Sequence, residues 1–209
     1  MNKHYSYLFT YKVIPLRKKI DSEIIYQAAL ENFSKFGLRK TTLDDIAQDL
    51  GVTKSNLYRY TANKETLYHE AVAFALYKWQ NRVKSALVGI ESPREQLLTL
   101  CQRAFTYLSE DKVFCEILKN DPNIFPLFPS QDHYPEINAA SINLLKDIIQ
   151  RGIKLGEFRP MDADQIALSF FSIYKMFIIQ TYIHPEENFV SQVFLQTLDL
   201  LTQGLFVEP

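Results

Sequence analysis

The residues best equipped for chemistry lie between positions 53 and 64, in the stretch TKSNLYRYTANK. Lys54 and Arg59 carry cations, Ser55 and Asn56 carry short hydrogen-bonding groups, and Tyr58 and Tyr60 hold hydroxyls on rigid rings. Such groups suit phosphate oxygens and the edges of bases. Leu57 is the only aliphatic residue here longer than alanine, so a helix built from this stretch buries little of itself. Thr42 and Thr53 are placed to cap two successive helices and Asn63 a third that begins at Lys64. Their N-termini add backbone N–H groups to the same surface. A merely solvated face is the plainer reading, but two tyrosines with so few aliphatics fit it poorly.

The rest of the chain offers little reactive chemistry. Cys101 and Cys115 form no CxxC pair, and His4, His69, His133 and His184 fall at no ligand spacing. The expectation is two reduced thiols, no metal and no cofactor. There is no nucleophile elbow, no phosphate-cradling glycine loop and no carboxylate pair in an apolar setting, so an enzyme is disfavoured. Charge is more telling than its net value of −1. Residues 1–64 hold eleven Lys/Arg against six Asp/Glu, and residues 65–209 hold twelve against eighteen. A positive first third on an acidic body suggests a module that faces a polyanion.

The elements that must position these groups are helical. Apolar spacing of three and four recurs from residue 24 onward, with few period-two segments, which predicts an all-α protein. A first helix over about 22–36 turns Ile25, Ala28, Ala29 and Phe33 inward, with Phe36 one turn later and Gly37 as its stop. Thr42 and Asp45 form a capping-box pair ahead of a short helix that ends at Gly51. Ala47, Gly51 and Leu57 then supply a small contact residue, a turn residue tolerant of positive φ and an apolar anchor. Two helices crossing steeply over a tight turn need those three in that order, which is the helix-turn-helix pattern. Long helices follow over about 64–89, 93–109, 136–155, 162–183 and 187–204, with a shorter one at 111–119. Residues 121–135 hold four of the nine prolines and read as an apolar loop.

With its Ala-Ala-Leu and Phe in the first helix, Gly37, Thr42, Ile46-Ala47, Gly51-Val52, Leu57-Tyr58, and Lys64-Glu65 with Leu67, the segment 25–68 resembles the DNA-binding domain of TetR-type transcriptional regulators. The later stretch GIKLGEFRP (152–160) resembles a turn common in their ligand-binding domains. Three parts are expected: a flexible basic and aromatic arm (1–19), read from its alternating Tyr5, Tyr7, Phe9 and Tyr11 with no partner strand, and, as the resemblance implies, a three-helix DNA-binding domain (20–66) and a helical ligand-binding and dimerisation domain (67–209). The resemblance implies a homodimer on a double-stranded operator, in which Lys54, Ser55 and Asn56 meet bases while Thr42, Thr53, Tyr58, Tyr60 and Lys64 grip phosphates. Arg59 serves either role, and Arg17 to Lys19 reach neighbouring backbone. The departure is Thr61, where the family usually has a core phenylalanine; either Phe36 or Tyr68 fills that space or the junction is looser.

For the larger domain, the resemblance leads to a small-molecule receiver. Phe105, Phe114, Phe125, Phe128 and Tyr174 are the candidate lining of an apolar cavity, with 121–135 as a lid, and sparse charge there points to a lipophilic or aromatic effector. The last two helices are apolar on more than one face, as pairing with a second copy requires. The longest apolar run, 166–183, is interrupted by Ser169, Ser172, Lys175 and Gln180, and the N-terminus lacks a signal-peptide pattern, so the expected place is the cytoplasm with no membrane partner. Repression relieved by the effector is the expected mode. The alternatives are a ligand-responsive activator, or a helical interaction protein that uses the same motif on another protein.

Overall fold

A computed structural model describes residues 20–125, 132–183 and 189–206. The arm 1–19 with Arg17 to Lys19, the candidate Phe128 and the middle of the 121–135 loop lie outside the described residues. Among the described residues the chain forms nine α-helices: α1 (Ser22–Lys40), α2 (Leu43–Asp49), α3 (Lys54–Leu57), α4 (Lys64–Ser85), α5 (Pro93–Glu110), α6 (Lys112–Asn120), α7 (Pro135–Leu155), α8 (Ala163–Ile183) and α9 (Phe189–Leu205). The only bridge of β type described is an isolated antiparallel one between Phe158 and Phe206.

The helix starts follow the side chains at their caps. Asp21, Thr42, Thr53, Asn63, Ser92 and Asp111 each accept a backbone N–H from the first turn of the helix they precede, satisfying donors that the helix itself leaves open. α1 runs further than its periodicity suggests, to Lys40, but it is broken at Gly37, whose φ of 71° and ψ of 165° suit glycine alone. The break redirects the last turn, and Phe36 just before it lies 55% exposed instead of continuing the inward stripe. Leu30 and Asn32 are buried in its place. The Asn32 amide donates to the Ala28 carbonyl and to the Asp49 carboxylate at 2.7 Å, joining α1 to the end of α2.

Two apolar clusters fill the interior. The first joins Ile25, Phe33, Ile46 and Leu57 of the N-terminal helices to Leu67 and Leu76 of α4 and to Phe114 and Ile117 of α6. It therefore continues across residue 66, within one uninterrupted helix, and α1 packs on both α4 and α6. The second cluster gathers α5, α7, α8 and α9 around Leu97, Ile149, Phe170 and Phe194. α8 and α9 leave Leu168, Met176, Leu195 and Leu200 exposed, an apolar surface that neither cluster covers.

Candidate nucleic-acid interface and effector cavity

The N-terminal helices are held together so that α3 needs only one anchor. Thr42 donates its backbone N–H to the Asp45 carboxylate at 2.9 Å and accepts the Asp45 N–H on its hydroxyl at 3.2 Å. The Thr42 hydroxyl, which donates to the same carboxylate at 2.7 Å, and then the Thr42 N–H hold the Asp45 carboxyl below its ordinary range. At the end of α2, Gly51 takes φ 64°, and the N–H groups of Leu50, Gly51 and Val52 return to the carbonyls of Ile46, Gln48 and Ala47. That closes the turn over buried Ala47 and delivers Thr53 as the cap of α3. Leu57, 1% exposed, is the one buried residue of α3.

The outward groups then separate by position. Thr42, Thr53, Lys54, Ser55, Tyr58 and Arg59 are exposed, while Asn56, Tyr60 and Lys64 are half-buried. Lys54 is not an isolated cation: its ammonium meets the Asp44 carboxylate of α2 at 2.6 Å, and that pairing raises its pKa. The Tyr60 hydroxyl accepts the N–H of Ile20 at 2.9 Å and so ties the start of α1 to the end of the recognition segment. The Lys64 ammonium donates to the Arg39 carbonyl at 3.3 Å. Tyr60 and Lys64 thus have structural partners whatever else they bind, whereas the side chains of Tyr58 and Arg59 make no hydrogen bond or ion pair among the described residues.

Thr61, the departure from the family pattern, is 5% exposed, and its hydroxyl donates to the Asn63 carbonyl at 2.9 Å. Of the two suggested space-fillers, Phe36 is at the surface. Tyr68 is buried, edge-on to Phe33 at 5.1 Å, and its hydroxyl donates to the Asp121 carboxylate at 2.8 Å. Burial and that carboxylate push the Tyr68 phenol well above its ordinary pKa.

A cavity of about 520 Å³ lies between α4, α5, α7 and α8. Leu76, Val83, Ala104, Phe170 and Ile178 supply apolar wall, and Asn81, Lys84, Asn143 and Asp147 supply polar rim. Of the aromatic candidates, Phe125 and Tyr174 line it. Phe105 does not; it stacks on Phe194 at 4.9 Å. Phe114 is buried in the first cluster, with Ile25, Phe33 and Leu57 of the N-terminal helices. Their helical spacing could not distinguish cavity from core, because both are apolar.

Sequence reasoning missed Trp79, Gln80 and Cys101. Trp79 is the chain's single tryptophan, stacked with Tyr174 at 6.2 Å and edge-on to Phe125 at 6.5 Å. Its indole N–H donates to the Ala104 carbonyl at 2.9 Å. Burial pushes the Cys101 thiol up to about 12, so it lines the wall as a small apolar group. No helix among the described residues is long and apolar enough to cross a membrane.

Residues 25–71 match the family model described as bacterial regulatory proteins, tetR family. The HTH-type transcriptional repressor KstR2 of Mycolicibacterium smegmatis is 27% identical over 143 residues, spanning 68% of this chain and 70% of that one. The HTH-type transcriptional regulator RutR of Escherichia coli K12 is 27% identical over 146 residues, spanning 68% and 66%. Among solved structures, FadR from Bacillus subtilis in complex with stearoyl-CoA superimposes with a TM-score of 0.73 at 19% identity, covering 88% of this chain and 99% of that one. The ketosteroid transcriptional regulator KstR2 of Mycobacterium tuberculosis superimposes at 0.60 with 24% identity, covering 91% and 98%. At these identities the structural likeness establishes the fold.

Proposed function

We infer from its place among the TetR-type transcriptional regulators that this chain works in the cytoplasm as a homodimeric repressor, released from its operator by a lipophilic or aromatic effector. The observation that carries the reading is the economy of α3. A helix pinned by Leu57 alone, with Lys54, Ser55, Tyr58 and Arg59 in solvent, leaves its outer surface to a partner of opposite charge. In the major groove, Lys54, Ser55 and Asn56 read base edges. Thr42, Thr53, Tyr58, Tyr60 and Lys64 hold phosphates, and Arg59 takes either role. Exposed Leu168, Met176, Leu195 and Leu200 on α8 and α9 support pairing of two copies through those helices, since isologous burial of one apolar patch is the commonest way to cover it. The cavity bordered by Phe125 and Tyr174 takes the effector. FadR was solved with stearoyl-CoA, and such a ligand agrees with a largely apolar wall.

The mechanism follows from geometry. Half-sites lie roughly 34–36 Å apart along one turn of DNA, so a change of a few ångströms in the separation of the two α3 helices costs contacts on one side. α4 carries both Leu67, in the DNA-binding cluster, and Gln80, at the cavity. A ligand that binds one tilt of α4 more tightly than another shifts the dimer by that difference in affinity and no more.

Fluorescence anisotropy against a pool of genomic fragments tests the reading. The expected result is selective binding to a few fragments, weakening steeply with salt and relieved by a lipophilic ligand. Salt-insensitive or absent binding would overturn it in favour of a protein-binding helical module.

A further inference from the structure

Gln80 sits on α4 at the cavity wall, half-buried, and its side-chain amide is fixed from one side. The amide nitrogen donates to the Ile137 carbonyl at 2.6 Å and to the Ser141 hydroxyl oxygen at 2.5 Å, both on α7. A backbone carbonyl can only accept, so the amide cannot be turned the other way round. Both amide hydrogens are thereby used, and the amide oxygen meets no donor among the described residues. That oxygen is not one of the sealed, unpartnered polar atoms of the interior, so it is open to whatever occupies the space beside it. Ser141 also lines the cavity. Having accepted from Gln80, its hydroxyl keeps its own hydrogen to donate.

An acceptor and a donor held side by side on a mostly apolar wall, which Asn138 and Lys175 also border, match one neutral group best. A hydroxyl both donates and accepts. An ether or a ketone only accepts, and leaves the Gln80 oxygen facing it without a proton. A carboxylate puts its negative charge against that oxygen. We propose that Gln80 and Ser141 form a hydroxyl-reading pair and that the effector is an apolar molecule bearing a free hydroxyl, its body lying along Leu76, Ala104, Phe125, Phe170 and Ile178. This rests on the cavity being the effector site, and it adds the chemistry of the polar end.

Trp79 lines the same cavity and is the only tryptophan, so its emission reports occupancy of this space. The experiment titrates the full-length protein with 1-dodecanol and with dodecyl methyl ether, which differ by the hydroxyl hydrogen and one methyl group. The expected result is about tenfold tighter binding of the alcohol, the scale of one hydrogen bond. In Gln80→Met that preference should fall close to unity with the ether's affinity little changed. Ser141→Ala, which removes only a half-buried hydroxyl, should reduce it as well and serves if Gln80→Met does not fold. Equal binding of alcohol and ether by the unmodified protein, or a preference that survives both substitutions, overturns the hydroxyl-reading pair while leaving the cavity as an effector site. If neither compound alters Trp79 emission, the lipophilic-effector reading falls, and this proposal with it.

Discussion

Thr61→Val is the most informative single change in the DNA-binding region. Valine keeps the shape of threonine but removes the hydroxyl that donates to the Asn63 carbonyl at 2.9 Å, at a position 5% exposed to solvent. The Asn63 carbonyl also accepts the N–H of Leu67 at 3.1 Å, the first bond of α4. Removing Thr61 Oγ1 therefore does not orphan a buried acceptor, and the cost should sit in the ordinary range for a lost hydrogen bond, about 1 kcal/mol. For a chain of 209 residues that corresponds to a fall in melting temperature of about 2–4 °C. Paired urea and thermal melts measure it, alongside operator titration on the folded variant. Operator affinity should be unchanged, because Thr61 faces the interior and not DNA. Thr61→Phe should fall further, since the ring must displace neighbours as well as lose the bond. Stability equal to or above the parent in Thr61→Val would refute the reasoning and leave Thr61 as a space-filling residue only.

Two further outcomes bear on the same region. Asp44→Asn frees the Lys54 ammonium from its carboxylate. It should tighten binding to unrelated DNA several-fold and steepen the logarithmic salt dependence by up to about one, an effect that should shrink in a Lys54→Gln background; unchanged binding and slope in anisotropy titrations would show that Asp44 does not restrain Lys54. Gly37→Ala meets open space around the new methyl group, so any loss comes from the backbone at φ 71°, ψ 165°. Urea melts should show about 1–3 kcal/mol of destabilisation, and no loss would mean that the last turn of α1 relaxes without cost.

How much was legible in the sequence depends on whether the cause was local. Thr42, Thr53 and Asn63 each cap the helix expected of them, because a cap joins a side chain to a backbone group two or three residues away. The turn at Gly51 and the anchor Leu57 were legible for the same reason. Phe36 was misplaced because spacing says which residues share a helix face, not whether a neighbouring helix reaches far enough to cover the last turn before Gly37.

The chain's residue order by itself determined the all-helical class and the helix-turn-helix, both fixed by short-range spacing and capping, and it carries the likeness of residues 25–71 to the tetR family. Tertiary structure alone decided which aromatics face a cavity. Phe114 and Phe125 are equally apolar, eleven positions apart and buried in the same cluster, yet only Phe125 also borders the cavity. It likewise decided that Lys54 is paired with Asp44, ten positions away, and that Gln80 is held by Ile137 and Ser141, roughly sixty positions away. Contacts at that separation are set by how helices cross, which burial of the shared clusters governs and no local pattern records.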